Sequence, residues 1–146
     1  MNDRACLLCR IALGEFDVKA LLESERSIAV LNTREPHAAG HVVVFPRRHV
    51  VALHDMDPAD AADAIDIVRQ IARAAGLTDY NVLHNVGAVA GQTVFHAHFH
   101  LIPKWSADEG LRYARDPVSG VDQRPWQRKI TQALAGAPPA GEYTTG

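Results

Sequence analysis

The sequence predicts an α+β domain, an antiparallel sheet of roughly five strands with one long helix packed on it. Three observations carry that expectation. The run Thr93-Val-Phe-His96-Ala-His98-Phe-His100-Leu-Ile-Pro103 alternates imidazoles with apolar residues, which is the period of a half-buried strand. Residues 57–75 repeat apolar side chains at helical spacing. Elsewhere, short apolar runs are punctuated by Gly, Pro, Asn and Ser.

Taken in order, Cys6 to Gly14 reads as a short helix, with Ile11 and Leu13 apolar and Gly14 as its stop. The Cys6-x-x-Cys9 pair on it is half a zinc site, a redox pair or a coincidence. A thioredoxin-like pair would follow a strand, and nothing apolar precedes Cys6 to form one. Zinc takes four ligands, so two more would come from elsewhere. Residues 18–23 and 26–32 read as short strands joined near Ser24-Glu25, with Ile28, Val30 and Asn32 on one face. Gly40 releases a third strand, His41 to Phe45, stopped by Pro46. His49 lies in the turn beyond, where Arg47 and Arg48 could approach phosphates but read rather as solvated.

In the long helix Asp57 is a good N-cap and Pro58 suits the first turn. Asp60 and Asp63 sit early and Arg69 and Arg73 late, as the helix dipole favours. Ala61, Ala64, Ile65, Val68, Ile71, Ala72 and Ala75 form the expected buried stripe. Gly76 ends the helix, whose role is structural. Tyr80 to Val86 is a fourth strand. Gly87 and Gly91 frame a short turn into the fifth, so an antiparallel hairpin is expected, with the helices on one side of the sheet. Residues 123–135 read as a last helix with Pro125 in its first turn and Ile130 and Leu134 on one face. A single domain over 1–136 is expected, with 137–146 a disordered tail.

Composition narrows the class. The 146 residues are 47% hydrophobic and 22% charged, which is globular rather than disordered. A net charge of −2 argues against binding a nucleic-acid polymer, which favours a basic excess. No apolar run reaches the length of a membrane span. The opening Met-Asn-Asp-Arg-Ala-Cys lacks a signal-peptide pattern. The expectation is the cytoplasm, where thiols stay reduced and two cysteines serve better as metal ligands or redox groups than as a disulfide.

The chemistry centres on the histidine strand. On a strand His96, His98 and His100 share one face, and on a helix they would diverge. Three partly buried imidazoles in register call for partners. A neutral imidazole is a competent nucleophile near pH 7 when one nitrogen is held by an acceptor and the other presents its lone pair.

His96-Ala-His98-Phe-His100-Leu-Ile resembles the signature of the histidine-triad (HIT) family of nucleotide hydrolases and transferases. Asn85-Val-Gly-Ala-Val-Ala-Gly91-Gln92-Thr93 resembles that family's phosphate-binding loop. Gly40-His41-Val-Val-Val-Phe-Pro46-Arg-Arg-His49 resembles its earlier strand and turn, and Cys6-Leu-Leu-Cys9 the opening of its zinc-binding bacterial members. The resemblance spans about residues 5–104.

The resemblance implies that His98 attacks an α-phosphorus and that His100 contacts the α-phosphate oxygens. Asn85, Gln92 and Thr93 would donate to the phosphate and leaving group, with Gly91 allowing close approach. Thr93 is counted as catalytic too. His41 joins the substrate-binding set. Asn32 would meet the ribose hydroxyls, although the segment from Asn32 to Gly40 is longer than the family pattern by one residue; Thr33 is the substitute. Cys6, Cys9, His49 and His96 would hold a structural zinc, with His54 the competitor for His49 and with His37 and His84 at the surface. The implied protein is a homodimer acting on purine nucleoside phosphoramidates through a nucleotidyl-His98 intermediate. The alternatives are a dinucleoside polyphosphate hydrolase, a zinc-stapled nucleotide-binding protein with incidental turnover and, more distantly, a Cys-x-x-Cys redox protein. Trp105 or Trp126, which follow the triad, are expected to help close the nucleotide pocket.

Overall fold

The computed structural model describes residues 3–112 and 117–136. Contacts divide the chain into a unit ending at Arg112 and a second beginning at Tyr113. The first unit holds a five-stranded antiparallel sheet whose strands lie in the order Leu22–Glu23, Ser27–Leu31, Val42–Pro46, Phe99–Pro103, Tyr80–Leu83. Its elements are α1 (Leu7–Ala12), β1 (Leu22–Glu23), β2 (Ser27–Leu31), β3 (Val42–Pro46), α2 (Pro58–Ala74), β4 (Tyr80–Leu83) and β5 (Phe99–Pro103).

Both faces of the sheet are covered, not one as expected. Ala29, Val42, Val44, Phe99 and Leu101 pack on Ala64, Ile67, Val68 and Ala72 of α2. The alternate residues Ile28, Val30 and Phe45 pack with Cys6, Leu8 and Cys9 at α1. Double coverage explains why β3 is an unbroken apolar run. It also brings the cysteine-bearing helix to the face opposite α2.

The side chain of Asp57 caps α2 by accepting from Ala59 N at 2.8 Å. Its buried stripe is centred differently from the sequence reading. Ile67 is buried, whereas Ile65 is 46% exposed because it lies about 100° round the helix from Ala64. Ala75 falls at the C-cap and is exposed. Asp60 is turned inward, its carboxylate 2.7 Å from Arg26 and 3.6 Å from Arg48. Arg47 donates to Ser24 O at 2.9 Å. Arg26 and Arg48 thus tie the strand ends to α2 through Asp60, while Arg47 ties the turn back to Ser24, rather than lying free in a solvated turn.

The strands are shorter than the alternation suggested. Only Leu22–Glu23 of 18–23 pairs with β2, and β4 stops at Leu83. β4 and β5 pair antiparallel, but residues 84–98 connect them, including a 3-10 turn at Ala88–Ala90. The expected tight hairpin is therefore a long loop. His100 alone of the triad lies in the ladder, opposite Val43 and Leu83.

After β5, Gly110 has φ +96°, and a Cβ there would stand 2.8 Å from Pro103 O. Both the backbone conformation and the contact demand glycine. Gly110→Ala is expected to cost about 1–3 kcal/mol, read as a lowered midpoint in urea unfolding.

In the second unit, α3 (Arg124–Ala135) carries Pro125 in its first turn. Ile130 and Leu134 are both exposed. The Lys129 ammonium sits 4.7 Å over the Trp126 ring. The expected tail, 137–146, lies outside the described residues. Among the described residues no helix is long and apolar enough to cross a membrane.

Candidate active site and metal centre

Two sites share the segment that leads into β5. At the first, Cys6 stands at the N-cap of α1, Cys9 one turn on, His49 in the turn after β3 and His96 before β5. Their ligand atoms all lie within 4.8 Å of one another. Cys6 Sγ is 3.4 Å and Cys9 Sγ 3.5 Å from His96 Nδ1, and Cys9 Sγ is 3.3 Å from His49 Nδ1. A tetrahedral zinc with N and S ligands has edges of about 3.6 Å, so the donor set fits. His96 Nε2 lies 2.8 Å from Pro46 O, so Nε2 carries the proton and Nδ1 keeps its lone pair for a metal. Burial lowers the His96 pKa to about 4 and raises that of the Cys9 thiol. His54 is exposed beside Asp55 and takes no part.

At the second site the hydrogen bonds assign each tautomer. His98 Nδ1 is 2.6 Å from the His96 carbonyl, so Nδ1–H donates and Nε2 bears a free lone pair. The backbone N–H of His37 donates to His41 Nδ1 at 3.1 Å. His41 Nε2–H therefore donates to His100 Nδ1, 2.9 Å away. That leaves His100 Nε2–H as a donor beside His98, with their ring centroids 4.8 Å apart. One ring thus presents a lone pair and its neighbour a proton. Burial is the main cause that lowers the pKa of His98, and it takes His41 and His100 down to about 4. All three are neutral near pH 7.

A cavity of about 550 Å³ opens on this pair. Its apolar lining includes Leu7, Ile11, Phe16, Val18 and Val30, and its polar lining Asn32, Thr33, Arg34, Glu35, Thr93, His98 and His100. An apolar slot with a few convergent polar groups suits a flat ring joined to an anion.

A family model for the HIT domain matches residues 14–107. The chain belongs to the HIT family. Among HIT relatives, the adenosine 5′-monophosphoramidase of Saccharomyces cerevisiae is 41% identical over 109 residues, covering 75% of this chain and 68% of that protein. A histidine triad nucleotide-binding protein from Candida albicans has TM-score 0.80 at 30% identity, covering 89% of this chain and 97% of the other. A zinc-bound histidine triad family protein from Mycobacterium smegmatis has TM-score 0.67 at 34% identity, covering 90% and 94%.

Not every residue of the HIT pattern stands as expected. Gln92 is buried, its Oε1 accepting from Gly87 N at 2.8 Å and its Nε2 donating to Val51 O at 2.9 Å. It pins the loop and does not line the cavity. Asn85 Nδ2 lies 3.4 Å from Gly91 O, and Gly91 has φ +91°. Asn32 lines the cavity, but its Oδ1 accepts from Arg34 N and Glu35 N at 3.3 Å each, while Thr33 lines the cavity too. Trp105 Nε1 donates to Ala39 O at 2.8 Å, bracing the loop rather than lining the cavity. Trp126 belongs to the second unit. His84 is not at the surface: its Nδ1 is 2.7 Å from the His98 carbonyl. Spacing alone gave no sign of that contact, since a single histidine after a strand carries no period.

Proposed function

We propose that this HIT protein hydrolyses purine nucleoside 5′-phosphoramidates through a covalent nucleotidyl-His98 intermediate. The observation that carries the proposal is the assigned tautomer of His98, with Nδ1–H fixed to the His96 carbonyl at 2.6 Å and Nε2 left as the nucleophilic nitrogen. The similarity to a relative named as an adenosine 5′-monophosphoramidase supports the leaving group.

In the first step the Nε2 lone pair of His98 attacks the α-phosphorus. The P–N bond breaks and the amine departs as it gains a proton from solvent in the open cavity. His100 Nε2–H donates to a non-bridging oxygen, stabilising charge that grows in the transition state. Thr93 and Asn85 donate from the loop, and the backbone at Gly91 permits close approach. Water then attacks the same phosphorus, gives up a proton to solvent and displaces His98 Nε2. Two inversions give overall retention at phosphorus. The apolar lining of the cavity holds the base, and Asn32, or Thr33 as its substitute, meets the ribose.

In the same reading Cys6, Cys9, His49 and His96 hold zinc, which the zinc-bound relative supports. The metal staples α1, the turn after β3 and the approach to β5. The protein acts as a homodimer.

The deciding experiment is release of AMP from adenosine 5′-phosphoramidate, run beside dinucleoside polyphosphates and nucleotide sugars. Faster turnover of the phosphoramidate is expected. Tight AMP binding with no turnover of any of them would leave a nucleotide-binding protein instead.

A further inference from the structure

The nucleophile stands just outside the sheet. The β3–β5 ladder begins at Phe99 and the β4–β5 ladder at His100. The preceding residues are therefore held by other bonds. Ala97 N donates to Val50 O at 2.6 Å, and His96 N to Val94 O at 2.9 Å. The His98 side chain is tied to the His96 carbonyl. The carbonyl of His98 itself accepts from His84 Nδ1 at 2.7 Å. His84 is the first residue past β4, and its ring stacks on Phe99 with centroids 4.6 Å apart and planes 27° apart. One side chain thus grips the peptide that joins the nucleophile to β5.

We infer that His84 is a positioning residue, fixing the His98–Phe99 peptide so that the His98 imidazole is aimed at the α-phosphorus. This rests on His98 being the nucleophile. The tautomer follows from the contact: a carbonyl only accepts, so His84 Nδ1 carries the proton and Nε2 does not. That Nε2 is buried and has no hydrogen-bond partner among the described residues. An unpaired buried acceptor is a cost to folding, so a residue kept for stability alone would be apolar here. Replacing His84 by leucine removes that cost while leaving the His98 carbonyl without its donor. The two effects oppose one another in stability, but only the second reaches the nucleophile. Loss of the donor lets the peptide turn, and a small error in nucleophile placement reduces the rate of attack without weakening ground-state binding.

The test compares wild type, His84→Leu, His84→Asn and His98→Ala with adenosine 5′-phosphoramidate as substrate. The asparagine Nδ2 occupies the place of the histidine Nδ1 and can donate the same bond. His84→Leu is expected to lower kcat roughly 10- to 100-fold with KM changed less than about threefold. Its metal content and melting temperature should stay near wild type, and His84→Asn should recover most of the lost kcat. Wild-type kcat in His84→Leu, or an equal loss in His84→Asn, would overturn the inference. So would a loss of kcat matched by loss of metal and of melting temperature in both variants, which would mark a structural role. His98→Ala separates the levels. If it keeps wild-type turnover, the nucleophile assignment fails; if it is inactive while His84→Leu is unimpaired, only the role of His84 fails.

Discussion

Replacing His98 with alanine is expected to reduce turnover by roughly 10³-fold or more, the scale of a lost nucleophile. The fold and metal content should survive, because His98 is not among the four clustered donors. Its side chain hydrogen-bonds within its own segment, to the His96 carbonyl, so its loss removes no tie between elements. The same bond is what would make the residue effective in the proposed role. It fixes one tautomer, and burial lowers the pKa, so the lone pair on Nε2 is free at neutral pH rather than protonated. His100→Ala should cost less, about 10²-fold, as the loss of one donor to the developing charge. Peptide mass spectrometry after acid-free quenching should find the nucleotidyl group on His98. An adduct on His96 or His100 with His98 unmodified would end this mechanism, as would a variant lacking His98 that turns over like wild type.

The alternation in the triad run was legible because it survives where regular pairing does not. Ala97, Phe99 and Leu101 enter the core beneath α2, while His96, His98 and His100 remain off that face. Only His100 is in the ladder, since the chain must leave the sheet to reach both the cysteines and the cavity. Pattern reports which side a residue faces, not which backbone bonds it makes. Helix α2 was equally legible in its cap, but Ile65 and Ile67 are chemically alike and only packing distinguished them. The zinc ligand set rested on resemblance, and the structure brings those four residues together. Gln92 and His84 were not legible. A loop glutamine can face a phosphate or pin its own loop, and the choice depends on Val51 and Gly87. The contact of His84 with the His98 carbonyl depends on the register of β4 against β5, which sequence spacing does not supply.

Removing a metal from the proposed site is expected to be the second large effect, and it should reach catalysis as well as stability. The four donors come from α1, the turn after β3 and the approach to β5, so a bound ion closes long loops that the helices alone leave open. A site filled at about 1,000 times its Kd adds about 4 kcal/mol, which for a chain of this size corresponds to roughly 10 to 15 °C in melting temperature. Chelation, or Cys9→Ser, should therefore lower Tm by about that amount and remove about one zinc per chain. Acid should act in the same direction, because thiolate and neutral imidazole are the forms that bind. The link to catalysis is His96. Its Nδ1 belongs to the metal cluster, while its carbonyl holds His98 Nδ1–H at 2.6 Å. Without the metal the His96 ring is held by its Nε2–H bond to Pro46 O alone, which should loosen the carbonyl that fixes the tautomer of the proposed nucleophile. Chelated protein held well below its melting temperature should thus lose kcat, and adding zinc back should restore it. Loss of zinc from Cys9→Ser with unchanged Tm and unchanged kcat would show that the cluster neither staples the fold nor steadies the nucleophile.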